Sequence, residues 1–307
     1  MADALSCTSS CKKTTPAWRV WYDDLRAQVD AAIAAHAKNL ESTLTSHSRL
    51  GSAVQYSLAL PGKRFRPVLV LESCRVCGGD PGTAMPAAIA LECVHTFSLI
   101  HDDLPAMDDD DLRRGQPSNH KVFGEAQAVL AGDYLAVHPF ATLASEYPAE
   151  VASDLVRTLA WGTLGMIAGQ GADVDGEQRA TDPGLVEFIH LHKTSRLIET
   201  ACRLGALCAS ATPAQLDGLA CFGRHLGLAF QITDDLLDVT GTTETVGKQV
   251  GKDAAAAKQT YPAAYGVAQS RARARQEIDT ALAALAPFGT TAANLRDLAT
   301  YVVTRDR

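Results

Sequence analysis

Apolar residues, chiefly Ala and Leu, recur along most of the chain at positions i, i+3 and i+4, and strict alternation of apolar and polar residues is scarce. The first spacing places side chains on one face of a helix, whereas alternation is typical of a strand. The pattern therefore predicts an all-α protein. The predicted helices are 17–36, 40–57, 67–77, 86–104, 124–144, 149–169, 183–209, 213–240, 261–285 and 291–304.

Helix-start signals support these segments, and no linker divides them. Pro183 and Pro213 lie at helix starts, where the missing N–H costs little, and Asp182 and Thr212 precede them as candidate N-caps. Because no Pro/Ser-rich linker and no internal repeat interrupts the pattern, we expect residues 17–307 to form a single domain. Residues 1–16 lack the apolar run of a secretory signal, and we expect them to form a disordered tail.

Composition narrows the class of protein. The chain has 28 Lys and Arg against 35 Asp and Glu, a net charge of −7, which argues against nucleic acid as a partner. No uncharged stretch reaches the roughly 20 residues that span a bilayer, so no membrane span is predicted. The eight cysteines are irregularly spaced in apolar surroundings, which favours free thiols in a reducing cytoplasm. We interpret Cys74 and Cys77 as core cysteines at a helix end, since no second ligand pair follows.

Two acidic clusters carry the first chemical signal. Residues 102–111 and 234–238 each follow an apolar helical stretch. In the second cluster Asp234 and Asp238 are four residues apart, so their carboxylates share one helix face and repel. In the first cluster Pro105 ends the helix, which places carboxylates at a C-terminus where the macrodipole also opposes them. Both clusters therefore require a cation.

Carboxylate oxygens without Cys or His ligands favour a hard divalent ion. Mg²⁺ is the expected cofactor and Mn²⁺ is an alternative; Mg²⁺ typically uses one or two protein carboxylates together with substrate phosphates. An EF-hand is excluded because neither cluster has Gly at position six and Glu at position twelve of such a loop. The alternative of a solvated acidic face is weakened because two clusters adjoin apolar sequence.

Basic residues form the complementary groups that a diphosphate substrate would need, since Arg binds phosphate oxygens bidentately and Lys supplies point charges. A P-loop is excluded, because Gly241 lies one residue too far from Gly247-Lys248 and Gln249 replaces the required Ser or Thr. The basic candidates are Lys63, Arg66, Arg113, Arg114, Lys193, Lys248, Lys252 and Lys258.

With these motifs in this order, the chain resembles the trans-isoprenyl diphosphate synthases, of the bacterial farnesyl diphosphate synthase type. The resemblance covers about residues 62–307 and rests on two aspartate-rich motifs with paired Arg after the first. The resemblance implies a bundle of long antiparallel helices around a central apolar cavity, and a homodimer. The matching segments are 62–67, 98–115, 132–133, 192–194, 227–238 and 260–262.

The resemblance also implies a role for each matching residue. The metal residues, which would hold three Mg²⁺ against the allylic diphosphate, are Asp102, Asp103, Asp108, Asp234, Asp235 and Asp238. The contacts to the allylic diphosphate are Arg113, Lys193, Thr194, Gln231 and either Lys248 or Lys258. The residues of the isopentenyl diphosphate site are Lys63, Arg66, His95 and Arg114. The catalytic set expected from these assignments is Asp102, Asp103, Asp108, Arg113, Lys193, Asp234 and Asp235.

The resemblance implies that isopentenyl diphosphate is condensed with dimethylallyl or geranyl diphosphate by ionisation, condensation and elimination. Four residues separate Asp103 from Asp108, a spacing of bacterial farnesyl synthases that plant-type geranylgeranyl synthases share, so the motif leaves product length open. In the family an aromatic at the position of Phe97 closes the cavity floor, and the neighbouring Ser98 is too small to do so. We therefore expect a farnesyl product, with geranylgeranyl diphosphate as the alternative.

Three other classes are less consistent with the sequence. A terpene cyclase usually replaces the second motif with an Asn/Ser/Glu triad and needs no second diphosphate site. A non-catalytic synthase subunit is expected to have lost an Asp motif, whereas both are intact here. A helical metal-storage protein would use Glu-x-x-His pairs as metal ligands, whereas the acidic residues of both clusters here are Asp alone.

Overall fold

The computed structural model describes residues 16–44, 49–177, 179–240 and 258–304. These residues are almost wholly helical, and the all-α prediction is confirmed. The helices of the first half are α1 (Ala17–Leu44), α2 (Leu50–Ala59), α3 (Phe65–Val76), α4 (Pro81–Asp102), α5 (Asn119–Phe123), α6 (Glu125–Glu146) and α7 (Ala149–Gly176). Those of the second half are α8 (Pro183–Ile189), α9 (Arg196–Cys208), α10 (Pro213–Thr240), α11 (Tyr261–Tyr265), α12 (Val267–Ala284) and α13 (Ala293–Thr304).

Helix α4 lies at the centre of the bundle, packed against α3, α6 and α9. Its apolar side chains, such as Leu91 and Val94, are fully buried. In the described ranges, α4 is the single helix that is long and apolar enough to cross a bilayer. However, 67% of its most apolar 18-residue stretch is buried inside the protein. Burial of that extent is what a core helix of a globular bundle requires. Helix α10 packs against α9 and α12 and carries the second acidic motif.

The predicted helix starts at Pro183 and Pro213 are confirmed, and in each case the residue before the proline caps the helix. The Asp182 carboxylate accepts a hydrogen bond from the N–H of Gly184 at 2.9 Å, and the Thr212 hydroxyl accepts one from the N–H of Gln215 at 3.3 Å. The start of α4 was predicted wrongly at Pro86. The helix begins at Pro81, because the Asp80 carboxylate caps it through the N–H of Gly82.

Two predicted helices are interrupted. The segment 183–209 contains a π-helical turn, His190–Ser195, between α8 and α9. The segment 261–285 is divided by Gly266, whose φ of +78° is accessible to glycine at no steric cost. A two-stranded hairpin, Leu112–Arg113 with Gln116–Pro117, and the short helix α5 were not predicted. The predicted break between residues 36 and 40 is wrong, because α1 continues to Leu44 and α2 begins at Leu50. The remaining differences are shifts of helix ends.

The cysteines of the described ranges are free thiols, as expected. Cys74 is buried near the end of α3 and its Sγ donates to the carbonyl of Asp80 at 3.4 Å. Burial raises the pKa of Cys77 to about 11, which keeps this thiol protonated and unreactive at neutral pH. Residues 1–15, the greater part of the predicted tail, lie outside the described residues.

Candidate active site

A cavity of about 620 Å³ opens between α3, α4, α7 and the π-helical turn. Apolar side chains such as Met166 and Ile167 form much of its wall, and polar groups gather at the end of α4. Such a cavity suits a ligand with an apolar body and a charged head. It brings together predicted site residues from distant parts of the sequence: Arg66, His95, Phe97, Ser98, Asp102, Lys193 and Thr194.

The first acidic motif lies where α4 ends. Asp102 is the last helical residue, and Asp103 is its C-cap. The chain then turns back, so that the N–H of Asp108 donates to the carbonyl of Asp102 at 2.8 Å. Arg113 donates to both carboxylate oxygens of Asp103, with Nε 2.9 Å from Oδ1 and 3.2 Å from Oδ2. Asp103, predicted to bind metal, and Arg113, predicted to bind the allylic diphosphate, therefore bind each other in this structure.

The second acidic motif belongs to a buried hydrogen-bond network. Asp235 is 2% exposed and its Oδ1 accepts from Nε2 of Gln231 at 3.0 Å. Its Oδ2 accepts from the N–H of Tyr261 at 3.0 Å and lies 3.2 Å from Nε2 of His190. The hydroxyl of Thr194 donates to Oε1 of Gln231 at 2.7 Å. The network joins the segments 192–194, 227–238 and 260–262 that the sequence singled out separately.

Two lysines face the acidic groups. Lys193 Nζ donates to Asp173 Oδ2 at 2.5 Å, and Lys258 Nζ donates to Asp108 Oδ1 at 3.4 Å. Both lysines line a smaller cavity of about 100 Å³, together with Asp235. The two cavities share Lys193 and so adjoin one another. The arrangement places ammonium groups between the two acidic motifs.

The π-helical turn explains how Lys193 reaches this position. One extra residue in the turn changes the direction of the side chains that follow, and π turns recur at functional sites. Helix α7 passes very close to the turn: a Cβ on Gly169 would lie 2.2 Å from the backbone nitrogen of Lys193. Only glycine fits at that crossing, so Gly169 fixes the distance between α7 and the lysine.

Burial dominates the electrostatics of Asp102. Desolvation raises the pKa of this carboxyl to about 6, with Lys193 opposing the shift and Asp108 adding to it. Desolvation also raises the pKa of Asp103, against the hydrogen bonds from Arg113. Carboxylates in this position lack sufficient positive charge in the protein itself.

A basic corner lies beside the cavity. Nη1 of Arg66 lies 3.4 Å from Nε2 of His95. Desolvation, together with Arg66, Arg114 and other guanidinium groups, holds the pKa of His95 well below its usual range. The buried Nε of Arg66 has no hydrogen-bond partner in the described part of the chain. A buried, incompletely paired guanidinium next to a neutral imidazole is an anion-binding arrangement.

Two residues of this corner were not identified from the sequence. Arg64 is 3% exposed and donates to Glu92 Oε1 at 2.7 Å and to Asp30 Oδ1 at 2.7 Å. Glu92 Oε1 also lies 3.9 Å from Nη2 of Arg114. This buried ion pair fixes Arg64, which lies between Lys63 and the first turn of α3 that carries Arg66. Nothing in the local sequence distinguishes Arg64 from its basic neighbours.

Some predicted residues lie elsewhere. Lys63 lines a separate cavity of about 340 Å³ with Trp18 and Tyr22, not the cavity of Arg66. Arg114 and Asp103 line a narrow crevice beside the main cavity. Lys248 and Lys252 lie outside the described residues.

Among the described residues, no three of the predicted metal residues have ligand atoms within 4.8 Å of one another. In the described ranges, the one group of three ligand atoms within 4.8 Å of one another comes from Asp109, Asp111 and His120. These residues follow the first motif and were not predicted as ligands. Asp173, which pairs with Lys193, was likewise missed, because its place on α7 next to the π-helical turn depends on packing between distant helices.

Comparison with known proteins identifies the architecture. Residues 47–290 match the model of the polyprenyl synthetase family. The chain belongs to this family. It is 41% identical over 290 residues to the farnesyl diphosphate synthase of Geobacillus stearothermophilus, covering 92% of this chain and 96% of that one. The family prediction made from the motifs is thus confirmed, and the chain is a prenyltransferase of the isoprenyl diphosphate synthase class.

Relatives of this polyprenyl synthetase are named for different products. Geranylgeranyl pyrophosphate synthase 12 of Arabidopsis thaliana is 47% identical over 268 residues, with 82% of this chain and 73% of that one covered. The crystal structure of geranylgeranyl pyrophosphate synthetase from Pyrococcus horikoshii superposes with a TM-score of 0.83 at 27% identity, covering 93% of this chain and 99% of that one. Family membership therefore establishes the class of reaction but does not establish the number of carbons in the product.

Proposed function

We propose that the protein condenses isopentenyl diphosphate with dimethylallyl and then geranyl diphosphate to give (2E,6E)-farnesyl diphosphate. The position of Phe97 in the main cavity is the observation that supports a fifteen-carbon product. Its side chain is 6% exposed, lines the 620 Å³ cavity and lies edge-to-face with His101 at 5.9 Å between ring centroids. Phe97 precedes Asp102 by five residues of α4, about 7.5 Å along the helix axis, so its ring limits the room for a growing tail. Ser98 beside it is too small to do so.

The carboxylates suit Mg²⁺, with Mn²⁺ as an alternative. They supply hard oxygen donors, and the raised pKa of Asp102 marks a buried carboxylate that the protein leaves short of positive charge. When bound, the divalent ions neutralise the negative charge that develops on the departing diphosphate. The residues that would hold three such ions are Asp102, Asp103, Asp108, Asp234, Asp235 and Asp238.

The basic residues divide between the two substrates. Lys193, Lys258 and Thr194 face the allylic diphosphate, and their charges and hydroxyl stabilise the leaving group as the C–O bond ionises. Arg113, which is hydrogen-bonded to Asp103 in this structure, would bind the same diphosphate once its bonds to Asp103 are replaced by bonds to phosphate oxygens. Arg66, His95 and Arg114 hold the diphosphate of isopentenyl diphosphate, and Gln231 orients Asp235 and Thr194.

The apolar wall completes the chemistry. Phe97, Met166 and Ile167 exclude water that would quench the allylic cation. The double bond of isopentenyl diphosphate attacks that cation, a new C–C bond forms, and a proton leaves to the released diphosphate. The tail then lies along the cavity, and its length is set by the wall.

We further propose a cytoplasmic homodimer in which residues 17–307 act as one domain. An exposed apolar strip on α6 and α7 supports the dimer: Leu130, Val137, Trp161 and Leu164 are each at least half exposed. A strip of this kind marks a protein interface. Sedimentation of the wild type as a dimer, and of Trp161→Asp as a monomer, is expected; a wild type that sediments as a monomer contradicts the dimer.

The product assay tests the proposed function. Purified protein is incubated with Mg²⁺, isopentenyl diphosphate and dimethylallyl diphosphate, and the products are measured by mass spectrometry. A C15 diphosphate as the main product is expected. A C20 product would identify a geranylgeranyl diphosphate synthase instead, and a cyclic hydrocarbon formed from farnesyl diphosphate alone would identify a terpene cyclase.

A further inference from the structure

Two histidines meet outside the active site, on helices that are otherwise far apart in the sequence. Nε2 of His36 on α1 lies 3.1 Å from Nε2 of His138 on α6, and the ring centroids are 5.1 Å apart. Both rings line an open cavity of about 500 Å³ whose other walls come from α4 and α6. None of the residues assigned to catalysis or substrate binding lines this cavity. Any function of this histidine pair is therefore separate from the condensation reaction.

The spacing of the two nitrogens suits one shared metal ion. Zn–N bonds of about 2.0 to 2.1 Å, at angles between the octahedral 90° and the tetrahedral value of about 109°, separate two ligand nitrogens by about 2.8 to 3.4 Å. The observed 3.1 Å falls within that range. Because both histidines line the open cavity, solvent could occupy the remaining coordination positions of such an ion.

Neighbouring side chains fix the His138 ring. Tyr134 stacks on it with an angle of 14° between the ring planes. The hydroxyl of Thr142 lies 3.2 Å from Nε2, on the side of the ring that faces His36. A ring held by stacking loses little further freedom when it binds an ion, and an adjacent hydroxyl can hydrogen-bond to a solvent ligand.

Both imidazoles are in the form that binds metals. Desolvation lowers the pKa of His36, and desolvation followed by the charge of His36 lowers that of His138. Neutral imidazole is the ligating state at neutral pH. In the hydrogen-bonded pair one Nε2 carries a proton, and this proton moves to Nδ1 of the same ring when both Nε2 atoms bind a metal.

We propose that His36 and His138 form a two-imidazole site for a late first-row divalent cation such as Zn²⁺ or Ni²⁺. Imidazole nitrogen selects these ions over Mg²⁺, which prefers oxygen donors. The site joins α1 to α6 and is independent of the carboxylates at the end of α4. It rests on the structure of this pair alone and holds whether or not the product is farnesyl diphosphate.

Ni²⁺ titration of the tag-free full chain tests the proposal. The protein is treated with EDTA, dialysed, and titrated calorimetrically at neutral pH without diphosphate. We expect saturable binding whose affinity falls at least about tenfold in His36→Asn and in His138→Asn. His192→Asn is the matched control, because His192 is also partly exposed and stacked on an aromatic ring, and its ring contacts no second imidazole in the part of the chain that the structure describes. Its Ni²⁺ affinity should equal that of the wild type.

Equal affinity in the wild type and in both substituted proteins would overturn the proposal, as would the same loss in His192→Asn. A spectrum of the wild type gives a test that needs no substitution. Cu²⁺ bound at one equivalent should show superhyperfine splitting from two nitrogens in electron paramagnetic resonance. A spectrum with one coupled nitrogen, or none, would also overturn it.

Discussion

The ammonium group of Lys258 lies 3.4 Å from the Oδ1 atom of Asp108, across 150 residues of sequence. The contact joins the first acidic motif to the segment that follows the second. A lysine at this point supplies positive charge where the proposed function requires cations and a diphosphate to meet.

Replacing Lys258 by Ala should raise KM for the allylic substrate about tenfold or more, because a charge-assisted contact to the diphosphate is lost. Steady-state kinetics with geranyl diphosphate as the varied substrate measure the effect. Lys121→Ala is the control, since Lys121 forms an exposed ion pair with Asp111 at 2.6 Å outside both cavities. An unchanged KM in Lys258→Ala would exclude this lysine from the site.

The basic residues should separate the two substrates. We expect Arg66→Ala to raise KM for isopentenyl diphosphate about tenfold or more, since a desolvated guanidinium no longer meets the phosphates. Lys193→Ala should instead impair use of the allylic substrate. Varying each substrate at a saturating level of the other distinguishes them, and a reversed pattern would show that the two assignments are exchanged.

Phe97→Ala should yield products of twenty carbons or more, because the ring that limits the cavity is removed. The change should also lower the free energy of unfolding by up to about 3 to 5 kcal/mol. Phe140→Ala, a partly buried aromatic of α6 that does not line the 620 Å³ cavity, is the control and should leave product length unchanged. If the folded Phe97→Ala enzyme makes the wild-type product, Phe97 is only a core residue.

Glu199 predicts a dependence of stability on pH. It is 3% exposed and accepts hydrogen bonds from Arg203 Nε at 2.9 Å and Arg224 Nε at 3.2 Å. Burial raises its pKa, but these hydrogen bonds more than offset the rise and leave the pKa below its usual value. A lowered folded-state pKa stabilises the protein above the unfolded value of 4.5, and this stabilisation is lost as pH falls through the folded value.

Glu199→Gln should therefore destabilise the protein by about 1 to 3 kcal/mol at pH 7, and the difference should shrink below pH 4.5. Urea denaturation of both proteins across this pH range measures it. A difference that stays constant down to the acid limit would mean that the charge of Glu199 contributes nothing.

The sequence predicted the helices and the two acidic motifs because both depend on local spacing. Asp102 ends α4 as Pro105 implies, and Asp182 caps α8 as its side chain permits. Side-chain pairings were beyond local rules. The pairing of Asp103 with Arg113 depends on how the loop after α4 folds back, and the burial of Arg64 against Glu92 depends on packing between segments. The π-helical turn was also missed, because no local signal in residues 190–195 distinguishes it from the helix on either side.

The central claim is that the two acidic motifs form one metal-dependent catalytic site. Condensation of isopentenyl diphosphate with geranyl diphosphate should be measured with Mg²⁺ and with excess EDTA, for the wild type, Asp102→Asn, Asp234→Asn and the control Asp297→Asn, an exposed residue of α13 outside both motifs. We predict no turnover in EDTA, a loss of at least about 10²-fold in kcat for Asp102→Asn and for Asp234→Asn, and near wild-type turnover for Asp297→Asn. Full turnover in EDTA, or near wild-type kcat in both Asp102→Asn and Asp234→Asn, would contradict it.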